Sequence, residues 1–152
     1  MNHFYEATIN VLVHADALID KLVGDEVIAL FIPGYAGKEH AHQAVVARQA
    51  LLKATGYEEP GGPWIPIGVG IHTGTAWVGS IVGASGTGAD YTALGDNVNI
   101  AARLAYQSGP GEILTSEATC DAAQIVTDGL EKRSLELKGK SDLVPVRVLH
   151  TS

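Results

Sequence analysis

The sequence predicts an α+β domain in which a mixed or antiparallel sheet is covered by helices. Short β-rich runs alternate irregularly with helical periodicities, and two pairs of runs lie close enough to form hairpins. A hydrophobic share of 46% against 18% charged residues supplies a globular core rather than a fibre or a disordered tail. At 152 residues the chain reads as one domain, 1–152, able to bury most of its apolar surface without disulfides or metals.

Taken in order, residues 2–17 read as an amphipathic helix with Phe4, Ala7, Val11 and His14 on one stripe. Ile19 to Val23 and Glu26 to Ile32 read as strands. Gly24-Asp25 between them suits a type II′ turn, which wants glycine first. Pro33-Gly34 ends the second strand. Residues 39–54 form the next helix, with Ala41, Ala44, Val45 and Leu52 on one face and Gly56 past its end. Gly61-Gly62-Pro63 is a loop.

Two β segments follow, Ile67 to Ile71 and Ala76 to Ile81, joined near His72-Thr73-Gly74. Gly83 to Gly88 reads as a loop. A helix is expected from Asp96 to Gln107 with Val98, Ala101, Ala102 and Ala105 inward, stopped by Gly109-Pro110-Gly111. Glu112 to Thr115 is a short strand, and Ser116 caps a brief helix to Ala123. Residues 133–138 and 144–149 suggest a terminal hairpin.

Composition narrows the function. The single cysteine, Cys120, excludes an internal disulfide, suits a reducing compartment and reads as a small buried side chain. Neither a signal peptide nor an apolar run of the roughly 20 residues needed to span a bilayer is present, so a cytoplasmic location is expected. A net charge of −7 argues against a nucleic-acid binder.

Few side chains offer chemistry. Asp25 sits at a hairpin tip, where aspartate is an ordinary turn residue. Lys21 interrupts a strand otherwise made of Ile19, Leu22 and Val23. Asn99 and Arg103, spaced i, i+4, share one helix face beside a small-residue stripe. An arginine there can clamp phosphate oxygens with both arms of its fork. Asp96 at the helix start favours the dipole. Other phosphate motifs fail: Gly139-Lys140-Ser141 resembles the end of a P-loop, but Ser134 stands where its first glycine is required. His40 and His42, at i, i+2, point apart on a helix and cannot share a metal.

Seven blocks in order resemble the class III adenylate/guanylate cyclases of bacterial type. They are Lys21-x-x-Gly24-Asp25-x-x-x-Ala29-Leu30-Phe31, His40-Ala41, Gly70-Ile71-His72-Thr73-Gly74, Tyr91-Thr92, Gly95-x-x-Val98-Asn99-x-Ala101-x-Arg103, Gly111-Glu112-Ile113-Leu114-x-Ser116 and Leu137-Lys138-Gly139-Lys140. The resemblance implies a ferredoxin-like sheet flanked by helices. It also implies conversion of a nucleoside triphosphate to its 3′,5′-cyclic monophosphate and pyrophosphate. Two divalent ions, Mg²⁺ or Mn²⁺, and the substrate would sit at the interface of a head-to-tail homodimer.

By the same resemblance Asp25 is a metal ligand, and Lys21 and Thr92 read the base. Asn99 orients the ribose, Arg103 stabilises the transition state and Lys138 contacts phosphate. An ammonium at Lys21 donates to adenine N1 but not to guanine N1, which is itself a donor, so ATP is favoured over GTP. Thr92 stands where many members carry aspartate; its hydroxyl serves either base and softens that choice.

One block of the family pattern is not found. Members carry a strand with Asp-Ile-x-Gly-Phe-Thr ahead of the Gly-Asp turn, and it supplies another metal aspartate. Here 23 residues precede Gly24, and they read as the helix after that strand. The domain is therefore expected to be truncated at its amino terminus and of negligible activity alone. The alternative is a catalytically inactive cyclase-like dimerisation or regulatory module. The retention of Lys21, Asp25, Asn99 and Arg103 together favours the first.

Overall fold

The computed structural model of the chain describes residues 2–23, 26–32, 37–74, 77–82, 89–94, 96–136 and 143–150. Asp25, Lys138, the Gly24-Asp25 turn and the loop from Gly83 to Gly88 lie outside them. Helix α1 (Asn2–His14) leads into the hairpin of β1 (Leu18–Val23) and β2 (Glu26–Leu30), followed by α2 (His40–Ala54) and β3 (Val69–Ile71). Then come β4 (Trp77–Val82), β5 (Ala89–Leu94), α3 (Asp96–Gln107), β6 (Glu112–Ser116), α4 (Glu117–Ala122), β7 (Glu131–Glu136) and β8 (Leu143–His150).

Among the described residues the strands form a four-stranded sheet in the order β3-β6-β8-β7 and two hairpins, β1-β2 and β4-β5. The larger sheet is mixed: β3 runs parallel to β6, while β6-β8 and β8-β7 are antiparallel. A parallel pair needs a crossover, and here the β4-β5 hairpin and α3 make it. The α+β expectation, a mixed sheet with helices against it, therefore holds.

Period-two alternation sends neighbouring residues of the central strands to opposite faces. Ile113 and its partner Leu149 face a core shared with Ala41, Val45 and Leu52 of α2. Leu114 and its partner Val148 face the other way, onto Ile100 and Leu104 of α3. Helices α2 and α3 thus cover opposite faces of one sheet, each held by apolar burial worth about 2 kcal/mol per large side chain.

Several boundaries differ from the sequence reading for visible reasons. Helix α1 stops at His14 because Asp16 takes a left-handed φ of 65°. Ala17 N–H then bonds back to Leu12 C=O (3.0 Å) and Asp16 N–H to Val13 C=O (3.1 Å). Its buried stripe is Phe4, Thr8 and Leu12, not Ala7, Val11 and His14, and His14 is exposed. Gly56, at φ 97°, closes α2 in the same way.

Strand β2 ends at Leu30, opposite Leu18, so Phe31 and Ile32 have no partner in β1. Strand β3 starts late because Ile67 is diverted: its N–H donates to Tyr57 Oη (2.9 Å) and its carbonyl accepts from Gly111 N–H (2.8 Å). Strand β5 was not foreseen; it pairs with β4 along its whole length. On α3 the buried pair is Ile100 and Leu104, while Val98, Ala101, Ala102 and Ala105 are half-buried.

Candidate active site

Helix α3 carries two of the predicted residues. Asn99 is exposed and Arg103 half-buried, and each sits one residue before a buried anchor, Ile100 or Leu104. One residue is 100° around a helix, so the Asn99–Arg103 stripe runs along the flank of the anchored stripe. It is fixed where it can reach a ligand without being covered.

Lys21 and Thr92 are placed through their strands. Lys21 pairs with Ile28 just after an irregularity between Ile19 and Lys21, where Asp20 is the extra residue. Such a bulge re-aims the strand that carries it. Thr92 pairs with Gly79 in the β4-β5 hairpin. Strand β1 contacts β5, and β5 contacts α3. The structure therefore gathers the elements bearing Lys21, Thr92, Asn99 and Arg103 into one neighbourhood. Asp25 and Lys138 lie outside the described residues.

What sets α3 in place is legible in atoms. A Cβ added at Gly70 would lie 2.4 Å from Ala105 N, 2.7 Å from Ala101 O and 2.8 Å from Leu104 Cβ, so the helix backbone rests directly on β3. Only a residue without a side chain fits.

Beyond β3, His72 hydrogen-bonds through both ring nitrogens. Its Nε2–H donates to Asn97 Oδ1 (2.9 Å), and its Nδ1 accepts from the Ser116 hydroxyl (2.8 Å). Ser116 is the N-cap of α4 and accepts from Thr119 N–H. Hydroxyl contacts continue from Ser116 to Thr119 (3.1 Å) and from Thr119 to Thr73 (2.8 Å). A single direction, Thr73 to Thr119 to Ser116 to His72 to Asn97, satisfies every link. Ser116 and Thr119 are buried, where an unmade bond would be costly.

Other charged contacts brace this frame. Glu112, at the start of β6, accepts from Gly109 N–H (2.8 Å) and from both arms of Arg133 (2.8 and 3.2 Å). That pairing, with Glu131 beside it, raises the Arg133 pKa above the ordinary arginine value. Arg147 of β8 reaches Glu117 of α4 at 3.1 Å. Burial, then the charges of Asp121 and Glu117, push the Cys120 thiol up, so it is a poor nucleophile and a packed core residue as expected.

A cavity of about 970 Å³ lies between β2, α1 and α2 on one side and β3 and α3 on the other. Thr8 and Arg48 line it, and Thr8 Oγ1 and Arg48 Nε are buried there without a hydrogen bond among the described residues. Burial lowers the Arg48 pKa. Among the described residues no three His, Cys, Asp or Glu side chains stand close enough to hold a metal ion. No helix among them is long and apolar enough to cross a membrane.

Sequence reasoning did not single out His72, Asn97 and Gly70 as a unit. The available signal was a histidine framed by two glycines, Gly70 and Gly74, immediately after a strand.

This arrangement is that of a nucleotide cyclase domain. The family model described as "Adenylate and Guanylate cyclase catalytic domain" matches residues 11–148, and the chain belongs to that family. It is 32% identical over 144 residues to an adenylate cyclase of Anabaena cylindrica, covering 87% of this chain and 28% of that protein. It is 36% identical over 109 residues to adenylate cyclase 1 of Rhizobium meliloti (strain 1021), covering 68% of this chain and 16% of that one. The chain thus spans well under half the length of these relatives.

Among solved structures, the guanylyl cyclase Cya2 superposes with a TM-score of 0.82 at 25% identity, covering 97% of this chain and 76% of that one. The adenylyl cyclase CyaB from P. aeruginosa gives 0.75 at 30% identity, covering 99% and 81%.

Proposed function

We propose that this domain cyclises ATP to 3′,5′-cyclic AMP with release of pyrophosphate. The observation that carries the reading is the convergence of β1, β5 and α3, which brings the elements bearing Lys21, Thr92, Asn99 and Arg103 together. Two adenylate cyclases stand among the similar proteins, and guanylyl cyclases stand among the similar folds.

In the reaction the ribose 3′-oxygen attacks the α-phosphorus, the bond to the β-phosphate breaks, and the hydroxyl proton is released. Lys21 donates to adenine N1, and the Thr92 hydroxyl accepts from the exocyclic amine. Asn99 orients the ribose so that the 3′-oxygen is in line. Arg103 offers its fork to the phosphate oxygens as charge moves onto them, where a positioned cation is worth most. Lys138 contacts the phosphates.

Asp25 is the residue we assign to a divalent metal, Mg²⁺ or Mn²⁺, whose charge would favour the ionised 3′-oxygen. The active form is a C2 homodimer with two equivalent sites, each taking Asp25 from one chain and the α3 stripe from the other. The domain works in the cytoplasm.

The test uses the 152-residue chain and a longer form in which a cyclase first strand, bearing Asp-Ile-x-Gly-Phe-Thr, precedes Met1. Each is incubated with ATP or GTP and Mn²⁺, and products are read by mass spectrometry. Cyclic AMP from the longer form, abolished by Arg103→Ala, is expected. A folded longer form that cyclises neither nucleotide refutes the reading and favours an inactive dimerisation or regulatory module.

A further inference from the structure

Resting on the reading that α3 carries the catalytic Asn99 and Arg103, we propose that His72 is a positioning residue for the cyclisation. Its imidazole ties Asn97, and with it the first turn of α3, to the junction of β6 and α4. The two bonds run in opposite directions from one rigid ring, to Asn97 at 2.9 Å and to Ser116 at 2.8 Å. Ser116 is itself locked, as the buried N-cap of α4. The far end of the tie is therefore fixed to the sheet. Gly74 makes room for the near end: a Cβ there would lie 2.4 Å from the Asn97 side chain.

Other described attachments of α3 are apolar or steric. Ile100 and Leu104 hold the helix down by apolar contact, and Gly70 sets how close it comes. Neither kind of contact is directional in the way a hydrogen bond is, so a helix held by them alone keeps some rotation of several degrees about its axis. A turn of about 10° moves an atom ~6 Å from the axis by about 1 Å. A misplacement of about 1 Å at a reacting centre costs on the order of 100-fold in rate. The hydrogen bond at Asn97, two residues before Asn99 and six before Arg103, removes that freedom.

The test exploits the shape of the ring. Glutamine places its amide near the Nε2 position and can donate to Asn97. Asparagine places its amide near Nδ1 and reaches only Ser116. In the longer, active form, His72→Ala and His72→Asn are expected to lower kcat roughly 10- to 100-fold with the KM for ATP little changed. His72→Gln recovers most of the loss. Asn97→Ala matches His72→Ala, and the double variant is no worse than either.

A merely structural histidine would instead lose melting temperature and activity in parallel, with Gln and Asn equally harmful, and that pattern overturns the proposal. Side-chain ¹⁵N spectra of the 152-residue chain give an independent reading. A bare Nδ1 and a protonated Nε2 that shifts in Asn97→Ala are expected, and the opposite tautomer refutes the tie. Absence of cyclase activity in the parent would count against the function alone, since the spectra decide the His72–Asn97 contact without it.

Discussion

Replacing Gly70 by alanine tests the mounting of α3 directly. The new Cβ would stand 2.4 Å from Ala105 N and 2.7 Å from Ala101 O, both backbone atoms that no rotamer change can move. Ordinary contact begins at about 3.4–3.5 Å, so the helix must retreat by roughly 1 Å. Overpacking of this kind costs typically 1–3 kcal/mol.

For a domain of this size each kcal/mol lowers the melting temperature by about 2–4 °C, so Gly70→Ala should melt roughly 4–8 °C lower for a cost near ~2 kcal/mol. The same retreat displaces Asn99 and Arg103, and kcat in the active form should fall by about two orders of magnitude. Calorimetry and an initial-rate assay read the two effects separately. A melting temperature within a degree of the parent would show that α3 does not rest on β3 as described.

Other outcomes follow from the same geometry. Lys21→Glu should shift preference from ATP toward GTP by about 10- to 100-fold, because a carboxylate accepts from guanine N1–H and repels adenine N1; an unchanged ATP/GTP ratio would show that Lys21 does not read the base. Cys120, ordinarily ionising near 9.0 and held higher in the fold by burial, contributes stability that is complete below pH 9 and lost as pH rises through its folded value. Alkaline urea titrations should therefore show a fall that Cys120→Ala removes, and the thiol of the folded protein should react slowly with a disulfide reagent. Sedimentation of the longer form should show a dimer, and monomer alone at high protein concentration would count against the shared site.

Much of the fold was legible because its cues are local. Gly56 past α2, Ser116 before α4 and the Gly109–Gly111 stop after α3 each name a backbone geometry that few residues satisfy. Strand β5 was missed although Ala89, Tyr91 and Ala93 alternate with Asp90 and Thr92, because Asp90 and the two alanines are poor strand formers; its pairing with β4 makes it a strand. The α3 face was misjudged for a related reason. An alanine stripe marks where backbones approach, as Ala101 and Ala105 do at Gly70, whereas the deepest burial went to the larger Ile100 and Leu104. Of the candidate site, the i, i+4 spacing of Asn99 and Arg103 foretold that both lie along one flank of a helix, while the roles assigned to them come from the family resemblance. Neither spacing nor pattern could show that His72, 25 residues upstream, holds Asn97.

Helix α3 is thus set by three devices of different physical kind. Apolar anchors at Ile100 and Leu104 supply attraction without direction, the bare backbone of Gly70 sets distance, and the His72–Asn97 bond sets phase. A site whose groups must stay within a fraction of an ångström needs all three, since attraction alone leaves a helix free to slide or turn. The same logic explains where each device lies. Anchors and distance stop sit along the helix beneath the sheet-facing side, and the polar tie sits at its first turn. The flank bearing the exposed Asn99 and half-buried Arg103 is taken up by none of them. Substitutions at the anchors should therefore be read chiefly in stability, and substitutions at the tie chiefly in kcat. A His72→Ala variant that lost only stability, with its kcat intact at low temperature, would place phase control elsewhere on the helix.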